Sequence, residues 1–254
     1  MPMIFVNLNK ALELDPEFAA SHYASGLVGV WVEWNWEKGE QEFQKALELN
    51  PNDAMSSIYY AHLLTILQRT DEALSQGQLA VDLDPLNPLI LALYGAVLGA
   101  DHQWKESLEH IKKAESIDPF SFFIHHVMEF ASFEVGDVDA FLKSVKFIFP
   151  FDEEVFQSIE KKALENGINV AYEEIVTHLE ALQQSMFLVP VHMANRYVTI
   201  KQYDKAMAQL ELGLEVHDQN MPYIAGGFSN LIELYNDPRF IAIMEKLNLP
   251  MPEN

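Results

Sequence analysis

Three side chains that are close together in the sequence could bind a metal ion: His125, His126 and Glu129. His125 and Glu129 are four residues apart, so a helix would place them on one face, where both could bind a metal ion. A catalytic zinc site needs three protein ligands and an open position, so two ligands on one helix are a weak signal. We therefore predict no metal site here, and expect histidines that are satisfied or that face solvent.

The commonest catalytic motifs are absent from the sequence. There is no phosphate loop of the G-x-x-x-x-G-K-[ST] type, no G-x-S-x-G elbow and no H-E-x-x-H pair. Gly226-Gly227 could form an anion-binding nest, although before FSNLIELY the pair favours a helix turn. No group of residues offers a base, a nucleophile and an electrophile together. We predict a protein that is not an enzyme, with no catalytic residues and no cofactor.

Composition excludes further classes of function. Of 254 residues, 16 are Lys or Arg and 38 are Asp or Glu, a net charge of −22 that repels nucleic acids. The absence of cysteine excludes disulfides and thiolate sites and suits a reducing compartment, so we expect a cytoplasmic protein. The start, MPMIFVNLNK, does not resemble a secretory signal. The apolar run at 85–100 is shorter than the ~18 to 20 residues that span a bilayer, so we predict no membrane insertion.

A phrase ending in Asp-Pro or Asn-Pro recurs along the first half of the chain. Successive prolines of this phrase are 35, 34 and 34 residues apart, and they stand at Pro16, Pro51, Pro85 and Pro119. Between them, apolar residues are spaced at i, i+3 and i+4, as in Phe43, Ala46 and Leu47, which is the helical period. A fixed period of this length predicts an all-α solenoid of paired helices.

Two further patterns support paired helices. Proline ends the helix before it, and we expect the preceding Asp or Asn to cap the helix that follows. Small residues recur where the two helices of a unit would cross closely. These small residues are Gly26, Ala61, Gly95, Gly39, Ala73, Ser107, Ala46, Ala80 and Ala114. The fourth unit departs from the pattern with Glu129, Phe141 and Ile148. Gly95 and Gly99 form a GxxxG motif that predicts close helix packing.

The 34-residue unit resembles the tetratricopeptide repeat (TPR), which implies a right-handed α-α superhelix of antiparallel helix pairs. The segment VEWNWEKGEQEFQKALELNP, with its turn at Trp34, Asn35 and Trp36, resembles the first full repeat of such modules in bacterial signalling proteins. The ending NDPRFIAIMEKLNLP is similar to their closing segment. The resemblance implies a regulatory C-terminal module beside a cyclase, Ser/Thr-kinase or winged-helix domain. It also implies that the sequence begins within a longer protein, because 4–14 matches only a second helix.

The repeats divide the chain into two continuous parts. We predict an array at 1–149, with a half repeat and four repeats of which the fourth is degenerate. Residues 150–254 would hold degenerate helical repeats, including helices at 152–166 and 169–184, one further TPR-like unit at 187–220, and capping helices. The segment 237–249 would act as the cap, because the outer face of a terminal repeat needs covering.

The resemblance also implies which residues face the inner groove, namely fixed positions on the first helix of each repeat. These candidate binding residues are Tyr23, Leu27, Trp31, Met55, Ile58, His62, Ile66, Phe123, His126 and Phe130. Because they are almost all apolar, we predict a scaffold that binds a peptide or partner domain through an apolar or amphipathic segment. Three alternatives stay open: packing between repeats, cover by the C-terminal helices, and a small molecule that fills the groove. Homo-oligomers are possible.

Overall fold

The computed structural model describes residues 2–228 and 230–251, and within them every regular element is a helix. This part of the chain holds fourteen α-helices and two short 3-10 turns. The α-helices are α1 Pro2–Leu14, α2 Ala19–Trp31, α3 Trp36–Leu49, α4 Ala54–Ile66, α5 Thr70–Leu83, α6 Pro88–Ala100, α7 Trp104–Ile117, α8 Phe122–Val135, α9 Val138–Ile148, α10 Glu153–Asn166, α11 Ile168–Gln183, α12 Pro190–Thr199, α13 Tyr203–Glu215 and α14 Pro238–Leu247. The 3-10 turns are Met221–Ile224 and Leu231–Leu234.

From α2 to α13, consecutive helices pack as six pairs, which confirms the predicted all-α architecture. The short turn within each pair makes its two helices antiparallel. The first helices α2, α4, α6 and α8 also contact one another in succession, so they form one side of the array. This side is the concave surface on which the candidate residues were expected. No described helix has the length and apolar character needed to cross a bilayer.

Close helix crossings explain the recurring small residues. Ala46 and Ala61 are fully buried. A Cβ atom added at Gly26 would lie 2.8 Å from the ring of Phe43 on the partner helix, and one at Gly95 would lie 2.6 Å from Cγ1 of Ile111. Contacts this short leave no room for a larger side chain, so the small residues set the distance between the paired helices.

The fourth unit has a polar contact where the others have a small residue. The Glu129 carboxylate accepts hydrogen bonds from Nη2 of Arg196 at 2.6 Å and from the Tyr172 hydroxyl at 3.1 Å. All three side chains are almost completely buried. Burial raises the pKa of Glu129, while the positive charge of Arg196 and the Tyr172 hydrogen bond oppose that rise. The contact joins α8 to α11 and α12, and this role accounts for the departure from the repeat pattern.

The predicted capping role of the Asp-Pro and Asn-Pro pairs is wrong. Each proline lies in the turn, three residues before the next helix, so the residue before it is too distant to cap that helix. The caps come from Asp53, Asn87 and Ser121, whose side chains accept backbone N–H groups of α4, α6 and α8. Asp118 instead accepts the N–H two residues later at 3.2 Å, which shapes the turn itself.

The C-terminal part contacts the first two helix pairs. The Trp36 indole N–H donates to the carbonyl oxygen of Leu247 at 2.8 Å, and Gln68 donates to that of Pro250 at 2.7 Å. The ring of Trp34 stacks on His217 at 3.6 Å. The predicted cap, α14, therefore packs on α13 and also joins the beginning of the array. These contacts close the array on itself.

Candidate functional site

The array holds a cavity of about 720 Å³ on its concave side, partly open to solvent. We call it the concave cavity. Its walls come from α2, α4, α6, α7, α8 and α12, and residues of α1 line it as well. Aromatic rings form much of the wall, including those of Trp31, Tyr59, Trp104, Phe123, Phe130 and Tyr223. No Asp, Glu, Lys or Arg is among the described residues that line it, although the chain carries a net charge of −22.

One wall of the concave cavity is the segment 217–228, which we call the strap. Two adjacent glycines let its backbone pass close to two helices. A Cβ atom at Gly226 would lie 2.6 Å from the carbonyl oxygen of Thr65, and one at Gly227 would lie 2.6 Å from that of Ala100. Gly227 also has a φ of +73°, a conformation that favours glycine. Both neighbours are carbonyl oxygens, which repel anions, so the glycine pair serves close packing.

Aromatic contacts hold the strap on α2 and α4. The ring of Tyr223 lies 6.2 Å from Trp31 and 5.8 Å from His62, and the ring of Phe228 stacks on His62 at 5.0 Å. Tyr223 and Phe228 also contact each other edge to face at 4.8 Å. Such pairs stabilise beyond the burial of their area. The strap thus occupies the part of the groove where a bound peptide could otherwise lie.

His62 provides a polar atom in this apolar wall. Its Nε2 lies 3.0 Å from the carbonyl oxygen of Leu93, and because a carbonyl only accepts, Nε2 carries the proton. Burial lowers the pKa of His62 to about 4, so the ring is neutral near pH 7. Its Nδ1 is then an acceptor, and this buried atom has no hydrogen-bond partner within the described part of the chain.

A second polar group lies on α8 and α12. The rings of His126 and His192 are 4.1 Å apart, and both residues line the concave cavity. Burial, together with neighbouring positive charge, lowers the pKa of both, that of His192 to about 4. Asn195 lines the same region, is 5% exposed, and has an Oδ1 without a hydrogen-bond partner in residues 2–228 and 230–251. The cavity therefore combines an aromatic wall with a few uncharged polar atoms.

The three residues first considered for metal binding separate in the structure. The ring of His125 stacks on Phe147 at 4.1 Å, and its Nε2 donates to the carbonyl oxygen of Pro119. Glu129 pairs with Arg196, while His126 faces the concave cavity. Among the described residues, no three or more His, Asp or Glu side chains are grouped as metal ligands.

Residues 42–75 match the family model described as a tetratricopeptide repeat, and solved proteins share the helical-repeat fold. The chain therefore contains a tetratricopeptide repeat at 42–75, within a helical-repeat fold. The matched residues span the end of α3, all of α4 and the beginning of α5, which include one wall of the concave cavity. No curated protein sequence matches the chain.

Two solved structures share this helical-repeat fold. PilF from Pseudomonas aeruginosa is 19% identical, with a TM-score of 0.55 over 71% of this chain and 83% of that one. A chain of the APC/C hetero-tetramer Cut9–Hcn1 is 15% identical, with a TM-score of 0.57 over 96% of this chain but only 45% of its own length. At these identities the likeness concerns the fold. The TPR fold indicates a protein–protein interaction scaffold, a class that is generally non-catalytic.

Six of the ten candidate residues of the TPR groove line the concave cavity. They are Leu27, Trp31, His62, Phe123, His126 and Phe130. They come from α2, α4 and α8, and α6 adds Leu89, Leu93 and Ala96 between them. The structure thus brings together residues as far apart in the sequence as Leu27 and Phe130.

The other four candidate residues lie beside the cavity. Ile58 and Ile66 are completely buried and present no surface to a partner in this structure. Tyr23 is partly buried between Phe43 and Tyr59, at ring distances of 6.4 and 6.0 Å. Met55 is partly buried against the core.

Sequence reasoning missed the residues that close the TPR groove. His192 and Asn195 lie on α12, and Tyr223 and Phe228 lie on the strap, more than 150 residues from α2. Contacts over such separations leave no period in the sequence. Two features of the sequence could have indicated this cover. They are the tryptophans of the Trp34–Trp36 turn, which contact the C-terminal part, and the adjacent glycines at Gly226-Gly227.

Proposed function

We propose that this TPR chain is a non-catalytic scaffold that binds an apolar segment of a partner protein in the concave cavity. The absence of charged side chains from the described lining of that cavity, in a chain of net charge −22, carries this proposal. Aromatic residues are enriched in the cores of protein interfaces, and Trp31, Phe123 and Phe130 would supply such a core. A partner would therefore insert an aliphatic or aromatic side chain.

We further propose a regulatory role in bacterial signalling and a cytoplasmic location. The role rests on the resemblance of the Trp34–Trp36 turn and of 236–250 to modules of such proteins. The location rests on the cysteine-free composition. Linking the chain to an effector domain and measuring that domain's output with and without a bound peptide would test the role.

Peptide selection tests the binding proposal directly. We expect the full chain to select peptides with apolar anchors from a random phage-displayed library. Phe123→Asp should lower the affinity for a selected synthetic peptide by about tenfold or more, because a charge would face the apolar anchor of the peptide. Phe120→Asp is the matched control, since Phe120 is 82% exposed and lies outside the cavity lining. If both variants bind the peptide as tightly as the parent chain, the cavity is not the peptide site.

One observation favours a second function, a small-molecule sensor. With the strap as one wall, the concave cavity has a volume of about 720 Å³, within the range of sites that hold drug-sized ligands. A ligand that fills this volume would contact five of the helix pairs and the strap together. Binding of the uncharged fluorophore Nile red without any selectable peptide would favour this second function.

A further inference from the structure

We infer that the concave cavity binds an uncharged amphipathic small molecule, an apolar body with one hydroxyl or amide group that donates a hydrogen bond to His62 or Asn195. This inference deepens the small-molecule function proposed above and rests on it. Three observations carry it: the unpartnered acceptor atoms, the charge-free lining and the wall that the strap adds.

The polar atoms determine the direction of the hydrogen bond. His62 is 2% exposed, and its Nε2–H already donates to Leu93, so the ring can only accept at Nδ1. Asn195 is 5% exposed, and its Oδ1 also accepts without a present partner in the described residues. Buried polar atoms without partners are rare in folded proteins, because each loses its hydrogen bonds to water. Both atoms are covered in this structure, so a ligand O–H or N–H would satisfy them once neighbouring side chains shift.

The same atoms disfavour a charged ligand. A carboxylate only accepts hydrogen bonds, so it cannot pair with Nδ1 of His62. An ammonium group could donate, but the described lining offers no carboxylate to neutralise it. The buried carboxylates near the lining already have partners: Glu129 pairs with Arg196 at 2.6 Å, and Asp218 accepts the Val191 N–H at 3.1 Å. An ion without a partner in an apolar cavity is strongly disfavoured, whereas a hydroxyl needs only its hydrogen bonds.

The apolar body has a matching surface. Rings of Trp31, Tyr59, Phe123 and Phe130 form one continuous lining with aliphatic residues of α6. Every methylene group moved from water to such a surface favours binding, so affinity should rise with alkyl length until the cavity is filled. The head group then selects among molecules of equal length.

A series with one alkyl chain and different head groups tests the inference. We would titrate the full chain with 1-decanol, decanoate and decylamine by isothermal calorimetry. We expect 1-decanol to bind at one molecule per chain and the two ions to bind about tenfold more weakly or not at all. Tighter binding of decanoate or decylamine, or equal binding of all three, would overturn the choice of an uncharged donor.

Two variants identify the acceptors. His62→Phe keeps a ring on Phe228, and Asn195→Leu keeps the side-chain volume, but each removes an acceptor. At least one should weaken 1-decanol binding by about 2- to 10-fold, the effect of one lost hydrogen bond. His178→Phe, on α11 and outside the cavity lining, should bind like the parent chain. Circular dichroism would verify that each variant is folded, and unchanged affinity in both folded variants would contradict the assignment.

The peptide experiment separates this inference from the main proposal. If no member of the decyl series binds while selected peptides do, the small-molecule inference fails and the peptide scaffold stands. If 1-decanol binds and competes with a selected peptide, both use the concave cavity. If neither binds, both proposals fail.

Discussion

Gly227 is the most informative position in the strap. An alanine there would place its Cβ 2.6 Å from the carbonyl oxygen of Ala100 at the end of α6. Because that oxygen belongs to helix backbone, it cannot rotate away, and the strap itself must move. Gly136 offers a matched control, since its φ is +78° against +73° for Gly227 and a Cβ there meets no described atom within 4 Å.

Gly227→Ala should lower the free energy of unfolding more than Gly136→Ala, because only Gly227→Ala disturbs the contacts of the strap. Each alanine should lower the free energy of unfolding by about 1 to 2 kcal/mol from left-handed backbone strain alone. Gly227→Ala should also lose part of the burial of Phe228 and its stacking on His62 at 5.0 Å, about 1 to 3 kcal/mol more. The strap could also open locally without unfolding the array.

Two measurements cover both possibilities. Urea unfolding followed by circular dichroism reports the global loss, and hydrogen exchange of strap amides reports local opening. We expect Gly227→Ala either to unfold at clearly lower urea than Gly136→Ala or to exchange its strap amides much faster. Equal unfolding midpoints with unchanged exchange would refute the close docking of the strap.

Three further predictions concern the buried polar and apolar residues. In the unfolded chain His62 is protonated below about pH 6.5, whereas in the folded chain its pKa is about 4. The free energy of unfolding should therefore fall as the pH falls from 7 to 5. His62→Phe should reduce this fall by about 2 kcal/mol, measured by urea unfolding at both pH values. Arg196→Met should cost about 3 to 5 kcal/mol by leaving Glu129 unpaired, and a smaller loss in the double variant with Glu129→Leu would confirm the pairing. Ile58→Asp should unfold the protein in thermal melts, because Ile58 is fully buried, whereas a folded variant would show that α4 can rotate.

Much of the fold follows from short-range sequence signals. The proline interval fixes the helix pairs, because each pair needs contacts only within about 35 residues. Small residues such as Gly26 and Gly95 mark the close crossings, and Glu129 marks the unit that packs differently. The caps were misplaced because Asp53 and Asn87 lie outside the repeated phrase that carried the prediction.

The site was predictable only in part. The fixed groove positions of the repeat apply to an open array. They therefore predicted the lining residues of α2, α4 and α8 but not the C-terminal segment that covers them. Ile66 illustrates the limit: its Cα would lie 3.0 Å from a Cβ at Gly226, so the strap covers this end of α4. The hydrogen bond from Trp36 to Leu247 joins residues 211 positions apart, a contact that no repeat encodes.

Filling the concave cavity tests the central claim most directly. Ala96 on α6 lines the cavity, so Ala96→Phe would occupy its volume without introducing a charge. Ala181→Phe, at an exposed position of α11, is the control. We predict that Nile red and selected peptides bind the control like the parent chain and fail to bind folded Ala96→Phe. Undiminished binding by folded Ala96→Phe would contradict the claim that the concave cavity is the binding site.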